Sequence, residues 1–433
     1  MPRADHTVSR KNISPGALRV LYTLRDAGYE AYLVGGGVRD LLVGLTPKDF
    51  DISTSARPEE VRKLFRSSRL IGRRFVITHV RMGGETIEVT TFRGAITDSQ
   101  ERDETGRILS DNVYGNLESD ALRRDFTVNS LYYDVGDFSI IDFVDGMEDL
   151  AARRLRLIGD PELRYREDPV RMLRAVRIAD KLGFHIDPEA TAAGDRLAPL
   201  LAEIPAARLF DEVLKLFLSR DAVANWKGLR EHALLRVLFP ELARALGSER
   251  QWQAFIERAL QDTAQRIVDA KPVTPAYLYA ALLWPVVARR ASHLAASEGS
   301  APLPALSQAA GEAVALQVNH TALPRRFSIP MREIWLLQPR FDYRRGVRAQ
   351  RLLAHPRFRA AYDFLALRAA TSEPELQPLV DWWTAAQANM PATPGGDSAD
   401  ASDLPELTAR RRRRRGGRRA RGPRDDGGSA ADE

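Results

Sequence analysis

The chain has 433 residues, of which 44% are hydrophobic and 28% are charged, a balance that argues against disorder throughout. It contains no cysteine, which excludes disulfides, thiolate nucleophiles and cysteine-ligated zinc. The formal net charge of +6 suits a polyanionic partner.

No segment predicts export or membrane insertion. Residues 1–16 lack the apolar core of a signal peptide. The longest uncharged apolar stretch, residues 272–288, is interrupted by Pro275 and Pro285 and is shorter than a bilayer-spanning helix requires. We therefore expect a cytoplasmic protein without membrane contact.

Short helices and strands alternate up to about residue 145. Ser14 and Pro15 predict the start of a helix that ends near Gly28. Further along the chain we predict a strand at 30–36, a helical turn at 38–44, a strand at 48–53, a helix at 58–68, and two strands within 73–93 joined at Gly83-Gly84. From Leu150 the pattern changes to long amphipathic helices without convincing strands, and residues 389–433 have the composition of a disordered tail.

Asp49 and Asp51 are the first candidates for chemistry. In one strand they share a face about 6 to 7 Å apart, where two carboxylates repel each other unless a cation lies between them. Mg²⁺, usually held by one or two carboxylates and substrate phosphates, suits this pair. Glu88 faces away from its apolar neighbours Ile87 and Val89 and could join the pair from another strand. Solvated strand faces are the alternative for all three carboxylates.

A glycine cluster precedes the aspartates. Gly35, Gly36 and Gly37 lie between a strand and a helical turn, where backbone amides can approach a phosphate, and Arg39 follows one turn later. The pattern is neither G-x-G-x-x-G nor a Walker A loop, and a tight turn is the alternative.

A basic stripe begins at residue 168. Asp168 could cap a helix opened by Pro169, on which Arg171 and Arg174 are spaced by three residues. The planar fork of arginine suits phosphates and base edges, although a solvated helix face has the same pattern.

Together these motifs resemble the nucleotidyltransferase superfamily built on a polymerase-β-like palm, and within it the class II branch of bacterial poly(A) polymerases and tRNA CCA-adding enzymes. LRRDFTVNSLYYD, residues 122–134, is similar to the family block whose Arg124 and Asp125 contact the ribose and base side of the nucleotide. REDPVRMLRAVR, residues 166–177, is similar to the nucleotide-binding block that contains Asp168 and whose arginines hold the triphosphate and base. The likeness is strong over about residues 30–220.

The resemblance implies an α+β palm followed by an all-α half and a disordered basic tail. It implies a catalytic head at residues 1–145, a nucleotide-recognition neck at 146–220, an RNA-binding body at 221–388 and a linker with an arginine-rich tail at 389–433. Asp49 and Asp51 would hold Mg²⁺, with Glu88 or Asp125 as the third catalytic carboxylate. The nucleotide ATP would contact Gly35, Gly36, Arg39, Arg124, Asp168, Arg171 and Arg174.

Residues 70–80, LIGRRFVITHV, resemble the pattern that distinguishes bacterial poly(A) polymerases, so we expect AMP transfer from ATP to RNA 3′ ends. A CCA-adding enzyme is the first alternative, and a non-catalytic RNA-binding protein the second. The tail contains a run of basic residues suited to RNA phosphates: Arg410, Arg411, Arg412, Arg413, Arg414 and Arg415. Expected partners are RNA 3′ ends, ATP and RNA-decay proteins.

Overall fold

The N-terminal part of the chain is built on a seven-stranded mixed sheet. The computed structural model describes residues 1–72, 75–94 and 113–388. The strands are β1 (Ala31–Val34), β2 (Asp51–Thr54), β3 (Ser68–Ile71), β4 (Ile77–Met82), β5 (Glu85–Thr91), β6 (Leu131–Tyr133) and β7 (Ile140–Asp142). Their order is β3-β4-β5-β2-β1-β6-β7, in which β2 and β5 are parallel and the other neighbours antiparallel.

Local sequence signals account for several of these elements. The helices of this part are α1 (Pro15–Asp26), α2 (Gly36–Leu42), α3 (Pro58–Leu64) and α4 (Leu117–Arg123). The Ser14 hydroxyl accepts a hydrogen bond from the amide of Ala17, which confirms the predicted cap of α1. The hairpin between β4 and β5 turns at Gly83 and Gly84, both with positive φ, as predicted.

Helix α1 covers one face of the sheet and leaves the other for the site. Its buried Val20, Leu21 and Leu24 belong to one core with Ile52 of β2 and Val89 of β5. Because successive strand residues point to opposite faces, the neighbours of these core residues on β2 and β5 lie on the face away from α1.

Two strand predictions differ from the structure. The strand expected over 48–53 begins at Asp51, because its neighbour β1 ends at Val34, which pairs with Asp51. Asp49 therefore precedes the strand, but Phe50 and Ile52, which alternate with the two aspartates, are both buried in the core under α1, so the aspartates lie on the same side of the chain. Strand β3 was not predicted; it pairs antiparallel with β4.

The rest of the chain is helical. Its helices are α5 (Gly146–Ala151), α6 (Pro161–Glu167), α7 (Val170–Leu182), α8 (Pro188–Leu197), α9 (Ala206–Phe217), α10 (Ala222–Glu231), α11 (Leu234–Leu238), α12 (Pro240–Ser248), α13 (Gln251–Val268), α14 (Pro275–Glu298), α15 (Pro302–Gln317), α16 (Arg325–Leu337), α17 (Gly346–Leu353), α18 (Phe358–Thr371) and α19 (Gln377–Ala388). A two-residue parallel pair, β8 (Arg154–Leu155) and β9 (His185–Ile186), corrects the expectation of no strands here. Pro285 lies within α14 and does not end it.

One apolar core extends through most of this helical part. It runs from Phe126 and Val128 beside the sheet to Phe364 and Leu367 on α18. A smaller core holds α17 and α19 against Phe341 and Phe358. The core is continuous across residue 220, so the expected division into neck and body does not follow a gap in packing. The α+β palm followed by a helical half is confirmed.

Two further expectations concern the chain as a whole. In the ranges that the structure describes, no helix is both long and apolar enough to cross a bilayer. The arginine run at 410–415 lies outside the described residues.

The packing of α7 on α10 leads to a stability prediction at Asp180. Burial, with Glu231 and Asp221 nearby, raises the pKa of Asp180 to about 6, and a Cβ on Gly228 would lie 3.1 Å from its Oδ2. Since this pKa exceeds the unfolded value near 4, the folded state loses stability as pH rises from about 4 to 6. We expect Asp180→Asn to raise the free energy of unfolding by about 1 to 2 kcal/mol at pH 8 and to have little effect at pH 4.

Thermal unfolding at the two pH values measures this effect. Asp381→Asn, at an exposed position on α19, is the matched control. An equal gain from Asp180→Asn at both pH values would contradict the assignment.

Candidate active site

The first part of the site is a row of polar side chains across three neighbouring strands. Asp51 of β2 pairs with Glu88 of β5, and Glu88 pairs with His79 of β4. The imidazole Nε2 of His79 lies 3.4 Å from Oε1 of Glu88. All three side chains lie on the sheet face opposite α1, as predicted for Glu88.

The carboxylates repel each other at this face. Burial, followed by the charges of Glu88 and Asp49, raises the pKa of Asp51 to about 7, although Arg124 and Arg174 act in the opposite direction. A cation placed here would relieve the repulsion, which is the condition that a metal site exploits.

Asp49 joins the site from the segment before β2. It is exposed, and its backbone is held by helix α2, since a Cβ on Gly37 would lie 3.3 Å from the carbonyl oxygen of Asp49. Across the described ranges, no three His, Asp or Glu side chains form a group able to hold a metal by themselves. Two carboxylates that share the ion with substrate phosphates and water remain compatible with this arrangement, and that is the usual coordination of Mg²⁺.

Gly35 leaves open space between the carboxylates and an arginine. Its φ of +77° strongly favours glycine. A Cβ at this position would lie 3.7 Å from Oδ2 of Asp51 and 3.7 Å from Nη1 of Arg124. Gly36, which follows, begins α2. Backbone without side chains therefore borders both a carboxylate and a guanidinium.

A buried carboxylate that the sequence reasoning missed holds Arg124 in place. Asp120 is 1% exposed. Its Oδ2 accepts hydrogen bonds from Arg124 (2.9 Å), from the Tyr132 hydroxyl (2.7 Å) and from the Ser53 hydroxyl (3.0 Å), and Oδ1 accepts from Arg93 (3.1 Å). Burial by itself would raise the pKa of Asp120, but the two arginines lower it below the usual range. The i to i+4 spacing of Asp120, on α4, and Arg124, the residue that follows the helix, was the available signal.

Asp125, the other candidate third carboxylate, is committed to an ion pair. Its Oδ2 accepts hydrogen bonds from Nε of Arg174 (2.7 Å) and from Nη2 of the same guanidinium. Its Oδ1 accepts from the amide of Phe126 (2.9 Å) and from Asn129 (3.1 Å). Burial opposes ionisation, yet Arg174 and these donors lower the pKa of Asp125. The geometry therefore favours Glu88 over Asp125 at the metal.

Arg39 is also hydrogen-bonded to neighbouring side chains. It is 4% exposed, and its guanidinium donates to Asp40 Oδ1 (2.6 and 3.0 Å) and to Asn129 Oδ1 (2.5 Å). Asp40 Oδ2 accepts from Lys181 of α7 (2.6 Å). The expectation that Arg39 holds a phosphate directly is not supported by this buried position.

These contacts join into one polar chain from helix α7 to the sheet and back. It consists of six residues in contact order: Lys181, Asp40, Arg39, Asn129, Asp125 and Arg174. Both ends lie on α7, so two points of that helix are tied to the region beside Gly35 and Asp51. The name "polar chain" is kept for these six residues.

The remaining predicted nucleotide contacts lie where α6 meets α7. Asp168 Oδ2 accepts a hydrogen bond from Arg208 (2.8 Å). The prediction that the Asp168 side chain caps α7 is wrong, since Pro169 is the residue at the cap position and no side chain caps the helix there. Arg171 donates to Glu167 (3.1 Å) and to the Arg164 carbonyl (2.6 Å).

Arg164 links this region to α4. It is 5% exposed and donates to the carbonyls of Arg123 (3.0 Å) and Arg124. Arg164 was missed because an arginine that bonds to distant carbonyls has no sequence pattern.

The stretch at residues 70–80 favoured one branch of the family in the sequence. Two of its residues, Arg73 and Arg74, lie outside the described residues.

Three family models match the chain. Residues 31–156 match the "Poly A polymerase head domain", residues 183–246 match the "Probable RNA and SrmB- binding site of polymerase A", and residues 298–420 match the "Polymerase A arginine-rich C-terminus".

Similar curated proteins cover nearly the whole chain. Poly(A) polymerase I of Salmonella typhimurium is 47% identical over 99% of this chain and 93% of its own length. Poly(A) polymerase I of Escherichia coli O6:H1 is 48% identical with the same coverage. A CCA-adding enzyme of Lactobacillus helveticus is 44% identical over 46% of this chain and 49% of its own length.

A solved structure of a related enzyme shares the fold. The CCA-adding enzyme of Bacillus stearothermophilus in complex with CTP is 29% identical, covers 88% of this chain and 84% of its own, and gives a TM-score of 0.56. Because poly(A) polymerase I relatives match 99% of the chain and three polymerase A models match its head, its middle and its C-terminal part, this protein belongs to the bacterial poly(A) polymerase family of class II nucleotidyltransferases.

Proposed function

We propose that the protein extends RNA 3′ ends with AMP from ATP, without a template and with release of pyrophosphate. The observation that carries this function is the identity of 47% to a poly(A) polymerase I over 99% of the chain, whereas the CCA-adding enzyme of Lactobacillus helveticus matches over 46%. The protein is thus a polynucleotide adenylyltransferase that acts on RNA and nucleotide substrates and uses a divalent metal.

The metal is Mg²⁺ in this proposal, held by Asp49 and Asp51 together with substrate phosphates and water, and Glu88 beside Asp51 is the third catalytic carboxylate. The raised pKa of Asp51 beside Glu88 supports a cation here. The bound ion would supply charge neutralisation to the triphosphate and increase the acidity of the RNA 3′-hydroxyl. Asp125 is assigned to positioning, since both of its oxygens accept hydrogen bonds from other groups.

The nucleotide is aligned by residues around the glycines. Gly35 and Gly36 allow the backbone to approach the phosphates, and Arg124, oriented by Asp120, contacts the ribose or phosphate side. Asp168, Arg171 and Arg174 contact the base or triphosphate from the start of α7. Catalysis of this kind depends mainly on alignment and charge stabilisation of the attacking and leaving oxygens.

The wider assignments are proposals of the same kind. Residues 1–145 form the catalytic head, 146–220 the neck, 221–388 the RNA-binding body, and 389–433 the linker and basic tail. The family match over 183–246 supports contacts with RNA in this region, and an RNA-decay protein as a partner remains a prediction. The cytoplasmic location expected from the sequence remains a prediction.

A single-nucleotide extension assay tests the function. The purified protein is incubated with Mg²⁺, an RNA primer and one nucleotide at a time, and products are resolved by length. We expect a long ladder with ATP alone on a generic RNA. Addition that needs both CTP and ATP and stops after three residues on tRNA would instead identify a CCA-adding enzyme. No extension under any condition would favour a non-catalytic RNA-binding protein.

The choice of third carboxylate predicts different effects for two glutamates on β5. Glu88→Gln removes the negative charge of the proposed third carboxylate beside Asp51 and should lower the rate of AMP incorporation on the order of 100-fold or more. Glu85→Gln is the matched control, because Glu85 instead accepts a hydrogen bond from the Gly16 amide (2.9 Å), which glutamine can retain.

Binding of Mn²⁺ in the presence of a non-hydrolysable ATP analogue, followed by electron paramagnetic resonance, supplies a second readout. We expect weaker Mn²⁺ binding in Glu88→Gln and unchanged binding in Glu85→Gln. Wild-type Mn²⁺ affinity and activity in Glu88→Gln would contradict the assignment.

The polar chain predicts that Asn129 acts as a positioning residue. Asn129→Ala removes the bridge between Arg39 and Asp125 without touching a proposed contact residue. Hydrogen bonds to charged groups contribute about 1.5 to 3 kcal/mol, so kcat/KM for ATP should fall by roughly 10-fold to 100-fold.

Asn225→Ala is the control for simple destabilisation. Asn225 is fully buried and bonds to the Leu216 carbonyl (2.7 Å) within the helical core. Melting temperatures should fall in both variants, whereas kcat/KM for ATP should fall only in Asn129→Ala. An equal loss of kcat/KM in Asn129→Ala and Asn225→Ala would show that Asn129 acts only through the stability of the fold.

A further inference from the structure

An exposed basic surface lies at the start of helix α17, far along the chain from the active-site motifs. Residues 340–351 contain five arginines, all exposed: Arg340, Arg344, Arg345, Arg348 and Arg351. Asp342 is the single acidic residue in this segment. We call these five arginines the α17 surface.

The segment is anchored from beneath. Phe341, Ala349 and Leu352 are buried in the small core that includes Trp383 of α19. The Trp383 indole donates to the Phe341 carbonyl (2.8 Å). Because these residues fix one side of the segment, the arginines between them are directed to solvent on the other.

The arginines of the α17 surface lack acidic partners. In the part of the chain that the structure describes, none of the five has a carboxylate within 4 Å. Some other exposed cations of the helical half do have such partners: Arg258 pairs with Asp262 (2.9 Å) and Lys271 with Asp269 (2.9 Å). A cluster of uncompensated like charges is repulsive by itself and attracts a polyanion.

An aromatic ring and an aliphatic side chain accompany these charges. Tyr343 is 49% exposed and Val347 is 60% exposed. The guanidinium carbon of Arg348 lies 5.0 Å from the centroid of the Tyr343 ring. Proteins that bind single-stranded nucleic acid combine a basic track for the backbone with aromatic rings on which bases stack.

We propose that the α17 surface binds the single-stranded part of the RNA substrate, with its arginines on the phosphates and Tyr343 beneath a base. The proposal rests on the proposed function, which makes RNA the substrate. Uncompensated charge and an exposed ring together favour RNA over an acidic protein segment, which would match the charge but would not require the ring.

The test compares two triple variants of the full chain with equal loss of charge. Arg344→Gln/Arg345→Gln/Arg348→Gln removes three cations from the α17 surface. The matched control, Arg258→Gln/Lys271→Gln/Arg290→Gln, removes three cations that have acidic partners. The Kd of a fluorescent single-stranded RNA is measured by anisotropy without nucleotide, over a range of salt concentrations.

Each phosphate contact with a single strand contributes about 0.7 to the slope of log Kd against log salt, so loss of three contacts should reduce the slope by about 2. The Kd at 0.1 M salt should rise by roughly tenfold or more, and KM for RNA should rise in parallel. The control should stay within about twofold of the wild type. Equal Kd and slope in the two triple variants would overturn the proposal.

Substitutions at Tyr343 test for base stacking, an effect on RNA affinity that a change of charge alone would not produce. Tyr343→Ser should weaken RNA binding, whereas Tyr343→Phe should retain it, because the ring face is kept. If the arginine variant loses binding of a polyglutamate peptide but keeps RNA affinity, the surface belongs to an acidic protein and the proposal fails.

The RNA-binding and extension assays together distinguish a failure of the α17 surface proposal from a failure of the proposed function. If the wild-type protein binds RNA through the α17 surface but adds no AMP in the extension assay, the proposed function fails and the surface stands. If the wild type adds AMP while the arginine variant binds RNA as tightly as the control, the surface fails and the function stands. Truncation after residue 405, in the wild type and in the arginine variant, separates the contribution of the tail arginines.

Discussion

The partly buried ion pair between Asp125 and Arg174 is the contact on which the site geometry depends. Asp125 follows α4 beside the sheet, and Arg174 lies on α7, where the helical half begins. A buried charge is costly unless it is paired and hydrogen-bonded, so each residue restricts where the other can lie. The polar chain adds a second tie through Asp40 and Lys181. The relative position of sheet and helix is therefore set by charge as well as by the apolar core that joins Phe126 and Val128 to α7.

This arrangement divides the carboxylates of the site into two classes. Asp120 and Asp125 are surrounded by donors, remain ionised and orient arginines. Asp51 lies beside Glu88, and burial together with the like charge of Glu88 raises the pKa of Asp51 to about 7. The first class is structurally satisfied, while the second lacks a counter-charge of its own. A divalent metal ion would supply that positive charge, and it would be shared with the phosphates of the nucleotide.

The helical half presents positive charge in a different manner. Around the active site the arginines are buried or partly buried and are oriented by carboxylates, as Arg124 is by Asp120. On the α17 surface they are exposed and have no such partners within the described chain. Oriented arginines suit a ligand with a fixed pose, such as a nucleotide. Unpaired arginines suit a flexible polyanion whose sequence is not read.

Local sequence determined the elements whose signals lie within a few residues: the capped helix α1, the hairpin at Gly83-Gly84 and the outward direction of Glu88. It also determined the family, because the motif blocks have fixed spacing. The tertiary structure decided the start of β2 after Asp49, since strand limits depend on partners such as Val34. It likewise decided that Asp125 and Arg39 position other groups: their partners include Arg174, 49 residues from Asp125, and Asn129, 90 residues from Arg39. Pairing across such separations is a property of packing, which no local pattern records.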